Sequence, residues 1–159
     1  HATRIIATAK HPDQRYWAKQ LGADVVCAPA ELDRVVRSQV GSLLLDNGQL
    51  TCGIDTVVDC VGSEESLAQA LRVVAPGGDV FAVGMPGVTT LDLTPLWHRE
   101  VSLRGVYAYD HHPDQRDDLA AAVDLIRDKD LGRLVSALYP LSATRTPSST
   151  RPTPACGAP

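Results

Sequence analysis

Asp55 and Asp59 bracket a Thr-Val-Val run. Two nearby carboxylates can do general acid–base chemistry. These two flank an apolar, strand-like stretch, which favours a structural reading: acids at a strand end that accept hydrogen bonds from neighbouring backbone amides. His98, His111 and His112 invite a metal reading. The adjacent pair falls in a Tyr-Asp-His-His-Pro run, however, and no second pair of ligands stands at helical spacing, so no metal site is assigned. The four cysteines, Cys27, Cys52, Cys60 and Cys156, show no CxxC spacing. Three lie near apolar segments and read as small buried hydrophobes in a reducing cytoplasm. Gly62 and Gly84 each close a β-rich run. A missing side chain there lets backbone approach a flat ring or a sugar. The competing reading is that these glycines only make tight strand-to-helix turns.

The elements that must position these residues alternate in type. Short β-rich runs are expected over residues 4–8, 24–27, 54–60, 79–84, 101–107 and 134–138. The Val57-Val58 pair predicts a strand buried on both faces. Between the strands, Pro12 suits the first position of a helix that Gly22 stops. Residues 31–45 carry Leu32, Val35, Val36, Val40, Leu43 and Leu44 near the helical period. Ser63-Glu64-Glu65 opens a helix that ends at Pro76-Gly77-Gly78, and residues 114–128 form a further one. Strands alternating with helices imply βαβ units with right-handed crossovers. The fold class is therefore α/β, a Rossmann-like doubly wound and mainly parallel sheet.

Four segments, taken in order, resemble a known family. Ala18-Lys-Gln-Leu-Gly-Ala-Asp24 matches an "AKxLGAD" helix end, and Asp55-Thr-Val-Val-Asp-Cys-Val-Gly62 matches a "DxVxDxxG" strand. Leu71 followed by Pro76-Gly-Gly-Asp-Val-Phe-Ala-Val-Gly84 matches an "L…PGGxxxxxG" helix-to-strand unit. The run from Leu93 to Gly105 resembles the family segment that leads into a sixth strand. Over residues 3–141 the chain resembles the cofactor-binding domain of the medium-chain, zinc-containing alcohol dehydrogenase superfamily. Each motif is weak alone; four in order at family spacing carry the resemblance.

The resemblance implies a dinucleotide across the carboxyl ends of the strands. Cys60, Val61, Gly62, Val83, Gly84 and Met85 would line its nicotinamide side, with Gly105 and Val106 after the next strand. At the end of the first run, an NAD site places an acid to bind the ribose 2′-hydroxyl. The matching residue here is Ala9, followed by Lys10 and His11, with Arg15 a helical turn later. No carboxylate would repel a 2′-phosphate and up to three groups could bind one, so the cofactor is NADP or NAD, with NADP favoured. Lys10, His11 and Arg15 are also compatible with an ordinary solvated turn. The implied substrate of the complete enzyme is a small alcohol or aldehyde. Residues 101–107 resemble the region near the family's dimerising strands, which points to a homo-oligomer.

Two parts of the family pattern are missing. No G-x-G-x-x-G run follows a first strand, so the phosphate-binding turn is absent from the chain. In the 3-2-1-4-5-6 order this leaves a gap at the centre of the sheet, and the flanking strands must close up or find another partner. Nor are the ligands of a catalytic zinc identifiable; the resemblance implies that they lie in a separate catalytic domain. Residues 1–141 thus read as a partial NAD(P)-binding Rossmann domain, inactive by itself. Residues 142–159, rich in Ser, Thr, Pro and Arg, read as a disordered or aberrant tail, such as out-of-frame translation.

Composition narrows the remaining choices. A length of 159 residues suits one domain. Fifteen Lys+Arg against 19 Asp+Glu, mixed along the chain, argue against nucleic-acid binding. No apolar run reaches membrane-spanning length and no secretory signal opens the chain, so a cytoplasmic location without membrane contact is expected. A nucleoside-binding methyltransferase also contains a helix-"PGG"-strand unit, but Ala9 and the absent glycine-rich loop oppose it. A non-catalytic remnant, or an interaction module whose gapped sheet is completed by another chain, is the third alternative.

Overall fold

The computed structural model describes residues 2–45, 48–107, 118–135 and 137–138. The chain divides into two compact units, His1–Tyr107 and Ala108–Pro159.

The first unit contains β1 (Ile6–Thr8), α1 (Pro12–Gln20), β2 (Val25–Cys27), α2 (Leu32–Val40), β3 (Ile54–Asp59), α3 (Glu64–Val73), β4 (Val74–Ala82), α4 (Thr94–His98) and β5 (Ser102–Gly105). Every strand pairing is parallel. β1 and β2 form one sheet, with Ile6 opposite Val25, and β3-β4-β5 form another, in that order. The strands expected to flank the absent one, β1 and β3, do not close up into a single ladder. They share a core instead. Val36 of α2, Leu50 and Val73 are buried together, and Ile6 of β1 packs against them along with Ile54 and Val57 of β3. A second cluster, Ala70, Leu71, Val74, Val80 and Val101, fixes α3 against β4.

Local sequence explains most boundaries. Pro12 opens α1 where its missing N–H is no loss, and Gly22, at φ 104°, accepts the left-handed turn that follows. Ser63 caps α3 by accepting a hydrogen bond from the Ser66 amide at 3.1 Å. Three expectations change. The apolar period over residues 31–45 yields a helix only to Val40, because Gly41 turns left-handed and ends it. Leu43, Leu44 and Leu45 are then exposed, with Leu44 in an antiparallel bridge to Leu50. Pro76-Gly77-Gly78 does not simply end α3. Val74 pairs with Ile54, residues 75–78 bulge out, and the ladder resumes with Asp79 opposite Thr56. Val58 is 56% exposed, so β3 is covered on one face, not both.

The second unit, among its described residues, holds α5 (Asp118–Asp128) and a 3-10 turn, Leu131–Leu134. No residue of α5 is buried. The strand expected over residues 134–138 is not formed in the described part: Leu134 closes the 3-10 turn, and Val135 and Leu138 are exposed. Expectations for residues 142–159 and for His111, His112 and Cys156 lie outside the described residues.

Candidate functional site

The predicted residues gather at the carboxyl ends of the strands in two groups. The first follows β1. The Ala9 amide donates to the Cys27 carbonyl at 3.2 Å, which extends the β1–β2 ladder by one bond. Lys10 is exposed, and His11 is the half-buried N-cap residue of α1. Arg15 reaches back from α1, and its Nη1 donates to the carbonyls of Ala9 and Lys10, each at 2.9 Å. That guanidinium therefore fixes the turn carrying Lys10 and His11. Arg15 is an organiser of this turn as much as a surface charge.

The second group spans β3, β4 and β5. The Val83 and Gly84 amides both donate to the Asp59 carbonyl at 2.9 Å, and the Val106 amide donates to Ala82. Gly62 and Gly84 lie backbone against backbone. A Cβ on Gly84 would overlap Val61 and Gly62, and one on Gly62 would stand 2.9 Å from the Gly84 carbonyl carbon and the Pro86 nitrogen. Gly62 also has φ 75°, the left-handed region that favours glycine. A Cβ on Gly105, by contrast, would meet nothing within 4 Å. The close-approach argument thus holds for Gly62 and Gly84, while Gly105 borders open space. Cys60, Val61, Val83, Met85 and Val106 are all exposed, Val61 at 70% and Met85 at 93%.

Beneath this surface the polar groups are satisfied. Asp59 is 6% exposed. Its Oδ1 accepts from the Val61 amide at 3.0 Å, and its Oδ2 accepts from the Gly62 amide at 3.2 Å and from Ser66 Oγ at 3.0 Å. The structural reading of this acid is correct; Asp55 is exposed. The sequence reading missed Ser66, although its position three residues after a Ser cap was a readable signal. It also missed Glu64, whose Oε2 accepts from Thr89 Oγ1 and the Thr90 amide and so ties the loop after Met85 to α3. Arg99 was missed too. Its buried guanidinium donates to the carbonyls of Val74 (2.7 Å) and Arg72 (3.4 Å), a cation at the carboxyl end of α3. Burial lowers the Arg99 pKa, but from so high a value that the charge remains.

Among the described cysteines Cys27 is buried, while Cys52 and Cys60 are exposed, contrary to expectation. Burial, with help from Glu31, pushes the Cys27 thiol up, while Arg34 opposes. No three His, Cys, Asp or Glu side chains among the described residues come together as a metal site. No helix among them is long and apolar enough to cross a membrane.

Comparison with known proteins places these elements. Residues 1–128 match the family described as zinc-binding dehydrogenase, and the chain belongs to that family. A sorbitol dehydrogenase of Arabidopsis thaliana is 38% identical over 107 residues, covering 67% of this chain and 29% of the relative. Among solved structures, 2R,3R-butanediol dehydrogenase from Bacillus subtilis superposes with a TM-score of 0.60 at 21% identity, over 80% of this chain and 33% of that one. A zinc-binding dehydrogenase from Sinorhizobium meliloti 1021, solved bound to NADP, gives 0.53 at 25% identity, over 67% and 30%. The chain therefore spans about a third of the length of these proteins. The Rossmann-like class is the fold they share with it.

Proposed function

We propose that this chain forms the nicotinamide-binding face of a zinc-type dehydrogenase that moves hydride between a small alcohol or polyol and NADP(H). The observation that carries the reading is the Gly62–Gly84 contact. It leaves side-chain-free backbone where β3 and β4 end, flanked by exposed Val61, Met85 and Val106. An uncharged, largely apolar surface at the carboxyl ends of parallel strands fits a flat nicotinamide ring. Family membership supports this class over the methyltransferase alternative.

The bound cofactor supplies the hydride acceptor, and the residues here act by holding it. Cys60, Val61, Gly62, Val83, Gly84, Met85, Gly105 and Val106 would bound the ring and exclude water from one of its faces. At the other end Ala9 leaves no carboxylate to repel a 2′-phosphate. Lys10 and His11, held in place by Arg15, offer it positive and hydrogen-bonding groups. The relative solved with NADP bound is consistent with that preference. In this reading the zinc ligands and most substrate contacts come from polypeptide beyond residues 1–159, and these residues alone do not oxidise alcohol.

Titration of the protein with NADPH and NADH, followed by nicotinamide fluorescence, tests the proposal. NADPH should bind more tightly. Lys10→Ala should weaken NADPH by roughly tenfold, the worth of about one charge-assisted hydrogen bond, and leave NADH unchanged. Equal affinities for the two nucleotides would remove the NADP preference, and binding of neither would remove the cofactor reading.

A further inference from the structure

We propose that the Asp59 side chain is the positioning residue of the nicotinamide-facing turn. Its carboxylate sets where the Val61–Gly62 peptide stands against Gly84, and so how closely the nicotinamide half of the cofactor can approach. This rests on the cofactor reading above.

Asp59 cannot act on a substrate itself. It is 6% exposed, and both oxygens are engaged by the Val61 amide, the Gly62 amide and Ser66 Oγ. Nor is it needed to start α3. Ser63 already caps that helix by accepting from the Ser66 amide, and the Ser63 amide donates to Ser66 Oγ at 3.0 Å. Strand pairing does not depend on the side chain either, because Val83 and Gly84 donate to the Asp59 backbone carbonyl. What remains for the carboxylate is the turn.

That turn has little else to hold it. The Val61 side chain is exposed and adds no core packing, and Gly62 has no side chain. Yet its placement is demanding, since Gly62 and Gly84 stand too close to admit a Cβ on either. Two amide donors aimed at one carboxylate give short, directional restraint from a charged acceptor. In Asp59→Asn one oxygen becomes an NH2 group. The two amide donors then share one acceptor oxygen, or one of them faces a donor, and the turn must move.

The test uses Asp59→Asn in the full chain, with Asp55→Asn as control, since Asp55 is an exposed acid of the same strand. Two readouts are needed. Backbone amide exchange reports the turn directly. Exchange at Val61 and Gly62 should rise by about tenfold or more, the loss expected for a bond to a charged group, while β5 amides stay unchanged. Nucleotide binding separates positioning from general damage. NADPH should bind about tenfold more weakly, with loss of its fluorescence enhancement, while 2′,5′-ADP, which lacks the nicotinamide half, keeps its affinity.

Equal weakening of both nucleotides would overturn the proposal in favour of a merely structural acid. So would unchanged exchange at Val61 and Gly62. If the unmutated protein binds neither nucleotide, the cofactor reading falls and takes the cofactor role of Asp59 with it; exchange at the two amides then decides only whether the carboxylate holds the turn. Should Asp59→Asn not fold, Ser66→Ala keeps the carboxylate and both amide bonds. It should weaken NADPH in the same direction but by less than Asp59→Asn, because both amide bonds to the carboxylate remain. No change in that variant would also count against the proposal.

Discussion

Gly84 has no room for a side chain, and that sets the first expectation. A methyl group there would overlap the backbone of Val61 and Gly62, which cannot yield as a flexible side chain would. Gly84→Ala should therefore destabilise the fold by about 1–3 kcal/mol or more, the usual range for overpacking, and abolish nucleotide binding. Gly105 supplies the contrast, since a methyl group there meets nothing within 4 Å. Gly105→Ala should leave stability within about 0.5 kcal/mol, as for a surface change, yet weaken NADPH if the ring lies where proposed. Thermal melts and nucleotide titrations of both variants check this; a Gly105→Ala protein that binds NADPH normally would move the ring elsewhere. Gly84 was visible in the sequence as a strand end, and Gly105 entered through the family resemblance. That only one is sterically required was not visible, because sequence carries no information on which backbone passes opposite. Cys60 shows the same limit: its apolar neighbours suggested burial, but it falls one residue past the strand and is exposed.

At the scale of elements, α3 bears the most weight. Its Leu67, Ala70, Leu71 and Val73 are all buried, its start borders the candidate site, and its end is closed by Arg99. Loss of the Ser63 cap should matter accordingly. Ser63→Ala should lower stability by about 1 kcal/mol, while Ser63→Asn, which can accept the same amide bond, should restore most of it. Chemical denaturation reads both, and equal loss in the two variants would mean that the hydroxyl serves something other than the cap. Elements with strong local signals were legible: Pro12 and Gly22 around α1, Ser63 at α3, and β-branched residues in β3. The misreadings share a cause. Leu43 and Leu44 keep the helical period past Gly41, but a left-handed glycine overrides apolar spacing. Pro76-Gly77-Gly78 has strong turn chemistry, yet tertiary pairing of Val74 with Ile54 absorbs it as a bulge. The Val135 region has strand-like residues but, among the described residues, pairs with no strand.

For the whole molecule, the buried residues among those described fall in one of the two units. Every buried hydrophobic residue in the described part lies between Ala23 and Val101, inside His1–Tyr107. Both core clusters and both groups of candidate site residues belong to that unit. α5, in the other unit, has no buried residue: its apolar residues Leu119, Val123 and Ile126, which share a face by spacing, are all exposed. Since burial of apolar area is the main stabilising term, the core clusters of the first unit should carry its folding free energy. A chain ending at Tyr107 should therefore melt within a few degrees of the longer one, a shift of less than about 1 kcal/mol for a domain of this size. Amide protection in β3, β4 and β5 should be unchanged. A larger drop, or loss of protection at Val80 and Val101, would show that residues beyond Tyr107 cover the core. The family match, which runs to residue 128 and past the first unit, makes this worth measuring. If the shorter chain also binds NADPH as the longer one does, the proposed nicotinamide face is complete within the first unit, and α5 is not needed for it.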